Sequence, residues 1–234
     1  MEGMEENSDR FNDDPWAIAG LVLGLGNSVF ALYRLGAYGT VTEIKDILMS
    51  WIPDVNSSCE LFDEMNSVSL CIGSCLALPS VVAFCQRVDL LNEDLDALFN
   101  RYTSLASELL NLNKSGIIFQ NLLMAVCIGA GSLLSFILDD GVHAMESSAV
   151  KKLLDTLRHI YTHPFPPLVH FGGMFGVVNA CGAGAGDLTG MCSKLMTSQI
   201  KHEVSLSLSP PCILTFMFYN CLSNQFFYVC VKKI

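Results

Sequence analysis

The feature that most constrains this chain is an absence. From Pro15 to Tyr33, within DPWAIAGLVLGLGNSVFALYRLG at 14–36, there is no charged side chain, and comparable runs recur at 66–86, 115–138 and 164–186. A segment of that kind must be surrounded by apolar groups, so it is either lipid-embedded or enclosed by the rest of the protein. Runs of about 18 to 24 residues are long enough to cross a bilayer, and Gly20-x-x-x-Gly24 is a spacing used where membrane helices approach closely. The segments between the runs decide which alternative the sequence favours.

Those segments are amphipathic. In TVTEIKDILMSWIP the apolar positions Val41, Ile44, Leu48 and Trp51 follow helical spacing, with Glu43, Lys45 and Asp46 on the other face. Thr40 and Glu43 have capping-box spacing, and Pro53 stops the helix. The same stripe is carried by Leu91, Leu95, Leu98, Tyr102, Leu105 and Leu109, and again by Val150, Leu153, Leu154, Leu157 and Ile160. Amphipathic helices need an apolar partner, which the uncharged helices supply if the whole chain is layered and soluble. Lys and Arg are shared almost evenly between alternate would-be loops, so no membrane orientation is preferred. Asp14 before Pro15, Pro79 as an interruption of the second run and Ser115 before the third read as soluble-helix punctuation.

The expected architecture is therefore all-α, an armadillo- or HEAT-like solenoid fragment of helix pairs. Uncharged inner helices are expected near 15–34, 67–85, 117–138 and 168–182, and outer helices near 41–52, 89–112 and 147–162. Gly24, Gly73, Gly129 and Gly176 fall near the middles of the inner helices, at steps of about fifty residues that suit a two-helix repeat with insertions. LVLGLGNS at 21–28 is faintly echoed by AVCIGAGS at 125–132. Small residues there allow neighbouring helices to come close. Residues 1–13 form an acidic leader expected to be disordered, 14–200 the helical domain and 201–234 an atypical apolar tail.

The net charge of -10 argues against direct contact with nucleic-acid phosphates or anionic lipid and in favour of protein partners. MEGMEENSDRFNDD is no secretory leader, and ten cysteines, several within apolar segments, suit a reducing cytoplasmic setting.

The combination of DPWAIAGLVLGLGNSVFALYRLG, IKDILMSWIP and GGMFGVVNACGAGAG resembles the C-terminal region of the focadhesins, over roughly residues 14 to 190. The resemblance implies a short piece of a very large helical protein with armadillo-like repeats. It also implies a non-catalytic scaffold linked to focal adhesions and to the Ski complex and cytoplasmic RNA exosome. The last segment, HEVSLSLSPPCILTFMFYNCLSNQFFYVCVKKI, has neither helical period nor caps. Its composition suits translated intron or a frame-altered splice product, or else a further membrane span at 211–231.

No catalytic, cofactor-binding or metal site stands out. GAGAGDLTG at 182–190 lacks the G-x-G-x-x-G spacing of a dinucleotide loop. His159 and His163 share a helix face but have no zincin Glu between them, and Cys71 and Cys75 have no C-x-x-C spacing, so surface and core roles are expected. Glu93, Asp94 and Asp96 read as an acidic contact patch for a protein partner or as a solvated first helical turn.

Overall fold

A computed structural model describes residues 15–53, 65–90, 95–112, 116–140 and 147–182. These residues form seven helices and no strand: α1 (Pro15–Arg34), α2 (Tyr38–Ser50), α3 (Met65–Arg87), α4 (Leu95–Leu112), α5 (Ile117–Asp140), α6 (Ser147–Thr162) and α7 (Pro167–Gly182). All belong to one compact unit within Met1–Gly186. The acidic leader, the glycine-rich 183–190 segment and the tail from 201 lie outside the described residues.

The uncharged helices pack in succession, α1 on α3, α3 on α5 and α5 on α7. Each amphipathic helix turns its apolar stripe onto that row. α2 lies against α1 and α3, α4 against α5, and α6 against α7. Val41, Ile44 and Leu48 of α2, Leu95, Leu98, Tyr102, Leu105 and Leu109 of α4, and Val150, Leu153, Leu157 and Ile160 of α6 are all buried. Each full burial of such a side chain contributes on the order of 1.5–3 kcal/mol, so the stripe, rather than helix propensity, holds the outer layer in place.

Glycine sets how closely the row packs. A methyl group on Gly73 would stand 2.5 Å from Val22 Cβ and 2.8 Å from the Ala19 carbonyl of α1, and one on Gly129 would stand 2.1 Å from the Cys75 carbonyl of α3. Gly131 and Gly176 bring α5 and α7 together, a methyl on Gly131 falling 2.0 Å from the Gly176 carbonyl. Three of the four expected glycines lie at such approaches. Gly24 does not: a Cβ there meets nothing within 4 Å, and Gly26 makes the approach instead, 2.8 Å from Ala77 Cβ.

Two helix ends corrected the expected boundaries, both through the same motif. Gly36, with φ of 78°, ends α1 as its Ala37 neighbour donates to Leu32 O and Gly36 itself to Tyr33 O, the paired bonds of a Schellman cap. The chain leaves that cap already at the entry of α2, so α2 begins at Tyr38 with Ala37 as its N-cap and no side-chain cap. Thr40 is thus inside the helix, not capping it. At the end of α3 the same pair of bonds, Leu90 N–H to Cys85 O and Asp89 N–H to Gln86 O, places Asp89 at φ of 60°. Residues 89 and 90 therefore close α3 rather than open α4, which starts at Leu95.

Lys45 is a further correction. Glu43 and Asp46 are exposed as expected, whereas Lys45 is only 1% exposed and lies 3.3 Å from the Asp46 carboxylate. A four-carbon stem can lie along apolar surface while its ammonium finds a carboxylate, which is how a residue on the border of a helix face becomes buried.

Candidate functional site

Pro79 lies inside α3 without interrupting it. Proline has no N–H, so the carbonyl four residues earlier, that of Cys75, loses its helical donor. The structure supplies another: the Tyr102 hydroxyl of α4 donates to Cys75 O at 3.0 Å. The same carbonyl faces Gly129 of α5, whose missing side chain leaves room for it. One main-chain oxygen thus links three helices. An unsatisfied buried carbonyl would cost on the order of 1–3 kcal/mol, so Pro79, Tyr102 and Gly129 depend on one another.

Around this point lie three thiols. Cys71 Sγ and Cys75 Sγ are 3.9 Å apart one turn along α3, and these two and Cys127 of α5 are fully buried. Burial pushes the Cys75 thiol well above its usual range, reinforced by its contact with Cys71, and pushes Cys127 up to about 12. Burial, with Cys75 and Cys71 nearby, likewise raises the Tyr102 phenol. Cys75, Cys127 and Tyr102 are neutral at physiological pH, which suits them to packing and unsuits those two thiols to nucleophilic chemistry. A second polar tie joins α5 and α7, where Asn179 Nδ2 donates to Ser132 Oγ at 2.9 Å.

Asp96 is exposed in the first turn of α4, while Glu93 and Asp94 lie outside the described residues. His159 and His163 come together, their ring centroids 3.9 Å apart, and His163 Nδ1 sits 3.0 Å from the His159 carbonyl and 3.2 Å from Thr162 Oγ1. That arrangement closes the C-terminal end of α6. His170 Nε2 accepts the Phe165 N–H at 3.1 Å, ordering the Pro-rich turn into α7. Among the described residues no three His, Cys, Asp or Glu side chains gather as a metal site would require. A shallow, open depression on α6 is lined by Ser148, Lys151, Lys152, Asp155, Thr156 and His159.

The surface that departs furthest from what composition demands is on α1. Trp16, Gly20, Leu21, Gly24, Asn27 and Ala31 are exposed, and Leu21 is 73% and the adjoining Leu35 81% accessible. Only 22% of the most apolar window of α1 is buried, against 78% in α3 and 67% in α5. These three helices are long and apolar enough to cross a membrane. No family model matches the chain, nor does any curated protein or solved structure.

Proposed function

We propose that this chain, or the longer protein it belongs to, is a non-catalytic helical-repeat scaffold that binds other proteins through its surface helices. The observation that supports this reading is the row of uncharged helices joined through glycine, with amphipathic helices laid against it. Stacked units of that kind present long continuous surfaces. The resemblance to the focadhesins narrows the partners to adhesion assemblies or to the Ski complex and cytoplasmic RNA exosome, in the cytoplasm and at focal adhesions, without direct nucleic-acid contact. No cofactor is part of the proposal. The test is proximity labelling with the full chain in cells, followed by reconstitution with purified Ski or adhesion components. Direct binding supports the scaffold. Failure to bind any of them, together with turnover in a hydrolase or transferase screen, overturns it.

A second reading, a polytopic membrane protein with four or five spans, is favoured by one observation, the exposure of α1. Extraction of membranes with alkaline carbonate separates the two. Under the scaffold reading the chain is released, whereas under the membrane reading it stays in the pellet until detergent is added.

A further inference from the structure

We draw no further inference here: the strongest candidate, the exposed and stacked His159–His163 pair at the C-terminal end of α6, is joined by no third His, Cys, Asp or Glu side chain among the described residues that would complete a metal site.

Discussion

α1 and α3 are nearly the same kind of segment in sequence, 20 and 23 residues long, apolar and punctuated by glycine. Their settings are opposite. α3 has neighbours on several sides, α1, α2 and α5 among them, while α1 is packed by α2 and α3 and leaves its other side open. Apolar composition states what a helix tolerates being buried against, and its place in the row determines whether a neighbour is there.

The largest expected effect makes that contrast visible with a single methyl group. Gly129→Ala forces a Cβ into the Cys75 carbonyl, 2.1 Å away, and should destabilise the protein by on the order of 3 kcal/mol. Gly24→Ala on α1 meets nothing within 4 Å and should stabilise by up to about 1 kcal/mol through helix propensity alone. Urea unfolding followed by circular dichroism measures both, and equal signs would erase the distinction between the helices.

Next in size is the link from α4. Tyr102→Phe strips the donor from the Cys75 carbonyl and is expected to cost about 1–3 kcal/mol. Pro79→Ala restores the N–H that α3 lacks, so in that background the Tyr102→Phe penalty should shrink. Additive losses in the double-mutant cycle would show that the carbonyl does not couple the two.

The buried thiols contribute a pH dependence confined to the interior. Cys127 stands at about 12 in the folded chain against an ordinary 9.0. The folded state therefore holds its proton where the unfolded chain has released it. The corresponding stability is complete below pH 9 and is lost as pH rises toward 12. Melting curves across that window should fall more steeply for the parent than for Cys127→Ala. The smallest effect concerns Asp89, held at φ of 60° in the cap of α3. Asp89→Gly should gain below about 1 kcal/mol, read from the urea midpoint.

The helices were legible because burial repeats with the period of the backbone. Leu98, Tyr102, Leu105 and Leu109 could be assigned to a core face from spacing alone, and they lie there. Boundaries were less legible, since the Gly36 cap and the entry of α2 share residues and Thr40 offered a competing start. Gly26 was indistinguishable from Gly24 because glycine carries no mark of the face it occupies. Lys45 fell on a border where one residue's rotation separates solvent from core. The sequence did carry one unread signal: a proline within an apolar run orphans the carbonyl four residues before it, and a tyrosine on a neighbouring core stripe is a ready donor.

That signal bears on how the protein is made. Tyr102 follows Cys75 by 27 residues, so a ribosome finishes α3 well before the donor its carbonyl requires has been synthesised. Until α4 emerges, that part of α3 must remain hydrated or be held by a chaperone, because sealing it against α1 alone would leave a dry, unbonded oxygen. The nascent chain therefore closes around α3 from its C-terminal side, and a translational pause between α3 and α4 would hold the chain where that apolar segment is still wet.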